Sequence, residues 1–187
     1  MSRELAKYSD NELAELLAGD KTEAEAAFTE FYNRYAQAVH IFCKYMVNDT
    51  QQAEDIFQET FIRFYKNIRP GAEHKNVKSF LMTIARNLSI NYQKTHKHKL
   101  EIEDFEHVRT ERIDYEKKEL FDLVVQSLEL LDDIYRESFI LREFDELPYK
   151  QIAQITDTTV SNAKSRVQRA RKKIADILQP YMKDIAD

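Results

Sequence analysis

Only two glycines and three prolines occur among the 187 residues. Tight hairpins need residues that tolerate left-handed or fixed backbone angles, so sheets are hard to build from this chain and a nearly all-helical fold is expected. One cysteine, Cys43, excludes an intrachain disulfide and suits a reducing compartment. No apolar run approaches the length of a membrane span, and the stretch MSRELAKYSDNELAELL has no signal-peptide pattern. Membrane insertion is therefore not expected, and the cytoplasm is the expected location. The sequence also lacks a glycine-rich phosphate loop, a metal-ligand cluster and a nucleophile–base arrangement, which argues against an enzyme and implies no cofactor. His96 and His98 lie in a KTHKHK run, but their spacing does not converge on a helix and no Cys or carboxylate is near, so they are not read as metal ligands.

What is present is enough for a core. Hydrophobic residues make up 43% and charged residues 33%, as in a soluble chain of one or two small domains. The net charge is −5, but it is unevenly spread. Residues 101–160 carry seventeen acidic and seven basic side chains, whereas 161–187 carry three and seven. Between Val77 and Leu100 there are five Lys or Arg and no acid. Two basic islands in an acidic chain suggest two separate contacts with a polyanion and acidic surfaces left for protein partners.

The stretch Thr156–Leu178 reads as a turn followed by a two-faced helix. Val160, Ala163, Val167, Ala170, Ile174 and Ile177 form an apolar stripe at helical period. Ser161, Lys164, Ser165, Gln168, Arg169 and Lys172 form a second, polar stripe. Six Lys or Arg and no carboxylate lie between Lys164 and Lys173. Solvated helix faces usually mix signs, so this one suits a nucleic-acid backbone better than water alone.

Earlier in the chain, Ser9 with Glu12 and Thr22 with Glu25 read as capping boxes opening two helices, with Gly19 ending the first. The second carries Phe28, Phe31, Tyr32, Tyr35, Val39, Phe42, Cys43 and Met46 on one side, which places Cys43 in a core. Asn48 or Asp49 breaks it. The helix Gln51–Ile68 has Phe57, Phe61, Phe64, Tyr65 and Ile68 on its apolar face and presents Asp55, Gln58 and Glu59 on its other side, with no basic neighbour evident. Arg69-Pro70-Gly71 stops it. A helix over Val77–Lys94 has Phe80, Leu81, Ile84, Leu88 and Tyr92 as its core stripe. Arg86, Asn87, Asn91 and Lys94 lie around the rest, a mixture suited to base edges and phosphates. Leu100–Lys118 has no clear period and reads as a linker. Leu120–Leu131, then Ile134, Phe139, Ile140, Leu141 and Phe144, start a second helical unit. Tyr149–Ile155, the turn and the basic helix make a helix-turn-helix.

Three of these segments, in this order, resemble one family. QQAEDIFQETFIRFYKNI, SFLMTIARNLSINYQK and RESFILREFDELPYKQIAQITDTTVSNAKSRVQRARKKI are similar to motifs of the extracytoplasmic-function (ECF) sigma factors of bacterial RNA polymerase. The resemblance implies an all-α chain of two small helical domains joined by a flexible linker. These would be an N-terminal domain over 1–96, a linker over 97–116 and a C-terminal helix-turn-helix domain over 117–187. It implies that Asp55, Gln58 and Glu59 bind core RNA polymerase, at the clamp coiled coil of its large subunit. The loop from Pro70 to Lys78, with Arg86, Asn87, Asn91 and Lys94, would melt and read the −10 element of promoter DNA. Ser161, Asn162, Lys164, Ser165, Gln168 and Arg169 would read the −35 element from the major groove. An anti-sigma factor is a further implied partner.

The chain departs from the family pattern at Phe80 (usually Trp), Asn91 (usually Asp), Asp157 (commonly Gly) and Ser161-Asn162 (usually Gly-Thr). The last change bears on promoter sequence preference. Two other readings fit the residues less well: a stand-alone helix-turn-helix regulator, and a helical adaptor whose basic helices bind acidic proteins. Stand-alone DNA binding is disfavoured by the acidic total.

Overall fold

A computed structural model of the chain describes residues 5–68, 76–96 and 115–185. Among the described residues there are helices and no strand, so the all-α expectation holds. Helix α1 spans Asp10–Leu16, α2 Lys21–Met46, α3 Thr50–Asn67 and α4 Val77–His96. After residues 97–114 come α5 (Tyr115–Glu129), α6 (Asp133–Phe139), a π-helical turn (Ile140–Phe144), α7 (Tyr149–Ile155) and α8 (Val160–Ile185). The expected linker lies outside the described residues except for Tyr115 and Glu116, which already belong to α5. Pro70 and Gly71 lie outside them too.

The helix ends are set mainly by side chains. Ser9 caps α1 with the expected box: its Oγ accepts from Glu12 N, and Ser9 N donates to Glu12 Oε2 at 2.6 Å. Ser9 N and Ser9 Oγ, both donating to Glu12 Oε2, hold the exposed Glu12 carboxyl below its ordinary value, the backbone bond most. The second box is displaced from Thr22–Glu25. Asp20 is the N-cap of α2, accepting from Thr22 N at 2.8 Å and Glu23 N at 2.9 Å, while Glu23 folds back onto Asp20 N. A carboxylate can take both amides and faces the positive end of the helix, so Asp20 outcompetes Thr22. Gly19 follows the end of α1, its N–H donating to the Leu16 carbonyl at 3.1 Å, and it also serves the next cap, because a Cβ there would collide with the Glu23 carboxylate. Asp49 caps α3 through Gln52 N.

The first group of helices is built on interlocking rings. Phe31 meets Phe64 at 5.1 Å, Tyr32 meets Phe61 at 5.0 Å and Phe28 meets Tyr65 at 5.5 Å, all tilted or edge-on as ring quadrupoles prefer. Cys43 is fully buried as expected, and burial pushes its thiol up to about 12. The stripe of α4 is rotated from expectation. Leu81, Met82, Ala85 and Ser89 are fully buried, whereas Phe80, Ile84, Leu88 and Tyr92 are only partly so. The reason is that α4 is covered twice, by α2 and α3 and by α7 on another side.

In the second group α8 lies across α5, α6 and α7. Ala163, Val167 and Ala170 have no exposed surface, and the small alanines let the helices approach closely. Val160, at the first position of the helix, is half exposed, and Ile134 is also exposed rather than buried as expected. The helix runs past Leu178 and through Pro180. Arg136 sits under the α5–α6 junction, and its guanidinium donates to the carbonyls of Leu128 (2.8 Å), Glu129 (2.9 Å) and Leu131 (3.2 Å). It thereby satisfies helix-end carbonyls that a glycine cap often serves.

The two groups are packed together. Their buried residues form one continuous core, with α4 against α7, and α2 against α5, α6 and the π turn. The Met46 carbonyl, at the end of α2, accepts from Gln93 Nε2 at 2.7 Å and from Arg136 at 3.5 Å, and Tyr45 meets Phe144 at 5.1 Å.

Candidate nucleic-acid and protein interfaces

The turn before α8 is tight. Thr156 Oγ1 donates back to the Ile152 carbonyl at 2.8 Å, and Thr158 N donates to the Ala153 carbonyl at 2.9 Å. Asp157 takes a left-handed conformation, φ 48°, where Asp is better tolerated than most residues. The Thr159 hydroxyl then accepts from Asn162 N at 3.1 Å and starts the helix.

The six basic residues between Lys164 and Lys173 divide in two. Three are paired with acids of the preceding helices. Arg171 binds Glu143 at 2.7 Å, Lys173 binds Asp132 at 3.1 Å and lies over the Tyr135 ring, and Arg166 is 3.8 Å from Glu137. The fully buried Ala163, Val167 and Ala170 set the rotation of α8 about its axis, and these pairs add to it from the flanks. Lys164, Arg169 and Lys172 remain on the exposed side with Ser161, Asn162 and Gln168; Ser165 is half-buried at the edge. The structure thus gathers the expected stripe into one uncovered face and removes the other cations from it.

The residues expected on α4 are divided differently. Asn87, Asn91 and Lys94 are exposed along one side. Arg86 and Lys78 instead point into the seam. Arg86 Nε donates to Glu137 Oε2 at 2.7 Å and Nη2 to Oε1 at 3.3 Å; the glutamate side chain is only 1% exposed. Burial pushes the Glu137 carboxyl up, against the opposing pull of Arg86 and Arg166. Lys78 Nζ donates to the Asp145 carbonyl at 2.9 Å and stands 3.9 Å from its carboxylate. Asp145 Oδ2 is buried with no hydrogen-bond partner among the described residues, and burial pushes this carboxyl up to about 7, with Lys78 opposing. Glu137 and Asp145 had no distinguishing signal in the sequence beyond the general acidity of their segment.

On α3, Asp55 and Gln58 are exposed and Glu59 is half-buried. The expectation of no basic neighbour fails at Glu59, which accepts from Arg63 Nε at 2.7 Å, one helical turn on. Gln58 Nε2 reaches Glu54 at 3.4 Å. The face is still acidic at Glu54 and Asp55. Beside it, Ile62 and Tyr65 are exposed and border a shallow apolar hollow of about 280 Å³ with Phe28 and Ala24.

These two basic and polar faces and the acidic helix lie in segments shared by known proteins. The family model for Sigma-70 region 2 matches residues 31–99, and that for Sigma-70, region 4 matches 121–174. The chain is 34% identical over 152 residues to the ECF RNA polymerase sigma factor SigM of Bacillus subtilis (strain 168), covering 78% of this chain and 91% of that protein. The chain belongs to the ECF sigma factors. It is therefore a promoter-recognising sigma subunit of RNA polymerase. SigW of the same organism is 31% identical over 161 residues, covering 78% of this sigma factor and 86% of its relative. Solved structures share the fold. The sigma factor RpoE in complex with the anti-sigma factor NepR from Bartonella quintana is 22% identical with a TM-score of 0.65, covering 81% of this chain and 96% of that one. CnrH in complex with the cytosolic domain of CnrY is 18% identical with a TM-score of 0.68, covering 91% and 97%.

The region 2 match runs from the middle of α2 to the end of α4, and the region 4 match takes in most of α5 to α8. The sequence reading of this sigma factor missed Arg136, Glu143 and Asp132, which orient the second group. Charge alone could not separate them from solvated residues.

Proposed function

We propose that this sigma factor uses three faces in sequence. Asp55, Gln58 and Glu59, with Glu54 beside them, dock on a basic surface of core RNA polymerase. Lys78, Arg86, Asn87, Asn91 and Lys94 of α4 contact the −10 element. Ser161, Asn162, Lys164, Ser165, Gln168 and Arg169 enter the major groove of the −35 element, with Lys172 beside them on phosphate. The working units are 1–96 and 117–187, joined by 97–116. It acts as a binding subunit, in the cytoplasm, and leaves the chemistry to core polymerase. The observation that carries this reading is the division of cations on α8: half are paired with Glu137, Glu143 and Asp132, and the rest share one open face with Gln168.

A chain at −5 is repelled by DNA over most of its surface, so its basic faces act best when polymerase holds them in place. An anti-sigma factor is proposed as a further partner; RpoE and CnrH were each solved in complex with one or with a cytosolic partner domain. The assignment is tested by Asp55→Lys with Glu59→Lys. Core binding should be lost while the far-UV spectrum is unchanged, and unchanged core affinity would remove these residues from the docking face. Lys164→Ala and Arg169→Ala should each weaken binding of a −35 duplex by about 1–3 kcal/mol in the holoenzyme. Equal loss on all sequences would assign them to phosphate rather than bases.

A further inference from the structure

Val160 opens α8, and its half-exposed side chain departs from the period that expected it in the core. The apolar stripe continues from it through Ala163, Val167 and Ala170, none of which has exposed surface. Helices α5, α6 and α7 therefore cover α8 from Ala163 onward and leave its first turn bare. Single exposed apolar side chains are ordinary on a protein surface. This one differs in its surroundings. Thr159, Ser161, Asn162 and Lys164 beside it are all exposed and polar, and the face they lead into is the one proposed for the −35 element.

Position matters as much as exposure. In a helix that enters the major groove, the N-terminal residues are the ones that meet base edges. Val160 stands one helical turn before Lys164, and Ser161 one turn before Ser165, so the valine is at the leading end of the reading face. The backbone is fixed on both sides of it. Thr158 N donates to the Ala153 carbonyl at 2.9 Å. Asn162 N donates to the Thr159 hydroxyl at 3.1 Å, and Ala163 N to the Thr159 carbonyl at 2.9 Å. A β-branched side chain in a helix keeps one main rotamer, so little freedom is lost on contact.

Chemistry then selects the ligand. Valine neither donates nor accepts a hydrogen bond. Among base edges in the major groove, only thymine offers an apolar group, its 5-methyl. The other edges present donors and acceptors that would lose water against valine without a replacement bond. We infer that Val160 reads the 5-methyl group of a thymine in the −35 element, at the leading edge of the contacts made by Ser161, Lys164, Ser165 and Gln168. It acts on specificity: it adds little to affinity for DNA in general and penalises other bases at one position. This rests on the proposal that α8 reads the −35 element.

The test uses holoenzyme formed from core polymerase and the full chain. A pool of promoter duplexes randomised over the −35 element is selected on this holoenzyme. One tight-binding duplex is then resynthesised with each thymine of that element replaced in turn by deoxyuridine, which pairs identically and lacks only the methyl. One thymine should show a loss of affinity of about fourfold on replacement, the equivalent of one buried methyl at ~0.8 kcal/mol. With Val160→Ala, that thymine and deoxyuridine should bind alike. Val160→Ile, which keeps an apolar tip on a β-branched stem, should keep the preference. A change that merely loosened the helix start would weaken all duplexes together and leave the preference in place.

A −35 element with no methyl-sensitive position, or the same sensitivity in Val160→Ala, would overturn the inference. Lys164→Ala and Arg169→Ala on the same duplex keep the two ideas apart. If they weaken binding while no thymine is distinguished from deoxyuridine, the −35 reading stands and the role of Val160 fails. If neither weakens binding, the −35 reading itself has failed and takes the inference with it.

Discussion

Replacing Arg136 by Met should be among the most damaging single changes to this fold. The stem of the side chain and its packing are retained, so the loss reports on the guanidinium. That group makes three bonds of 2.8–3.2 Å to the Leu128, Glu129 and Leu131 carbonyls and longer ones to Met46 and Asn48. Hydrogen bonds from a charged donor are worth about 1.5–3 kcal/mol each, and a carbonyl left dry costs about 1–3. The bonds share one donor group and are not additive, and burying the charge has its own cost, visible in the lowered pKa of Arg136. A net loss of about 3–5 kcal/mol follows. At roughly 2–4 °C per kcal/mol for a chain of this size, the melting temperature should fall by about 6–20 °C. Thermal unfolding followed by circular dichroism reads this directly. A loss under about 1 kcal/mol would refute the claim that the guanidinium caps the α5–α6 junction.

Other consequences are smaller. Gly19→Ala forces the Glu23 carboxylate off Asp20 and should cost about 0.5–2 kcal/mol in the same melt, even though Gly19 is exposed. Asp157→Gly relieves a left-handed non-glycine residue and should stabilise by up to about 1 kcal/mol, with promoter binding kept if the turn acts only as backbone. Asp145 fixes a sign for pH. Its carboxyl rises from 3.8 to about 7 on folding, so the native state holds the extra proton between those values. The stabilising contribution is full below pH ~4 and is lost as pH rises through about 7; Glu137, also raised, acts in the same direction. Urea unfolding between pH 5 and 8 should show stability falling with pH, and Asp145→Asn should flatten that slope.

Much of this was legible in the sequence, for identifiable reasons. Scarce glycine and proline pointed to the helical class, and the periods of α2, α3 and α8 located most of their buried faces, because each packs largely along one stripe; Tyr32, Tyr65 and Val160, at the stripe margins, are exposed. The stripe of α4 was misjudged because that helix is covered on two sides, which no single period reports. Thr22 and Asp20 both fit a capping box by spacing, and only the geometry of Gly19 and Glu23 decides for Asp20. Scarcity of glycine had a second effect that composition does not place. Asp157 and Glu146 occupy left-handed positions and Arg136 closes a helix end, all roles that glycine often fills. The polar stripe of α8 follows the period read in the sequence and is exposed except at Ser165, which is half-buried. The pairing of Arg166, Arg171 and Lys173 was not legible there, since their acidic partners lie 28 or more residues away in the chain.

The central claim, promoter selection on behalf of core polymerase, is tested most directly by transcription in vitro. Core RNA polymerase is incubated with genomic DNA fragments, with and without this purified sigma factor, and the 5′ ends of the transcripts are sequenced. The account predicts a discrete set of new start sites sharing two upstream elements near −35 and −10, lost with Asp55→Lys and Glu59→Lys. Start sites unchanged by adding the protein, or unaffected by those two substitutions, would contradict it.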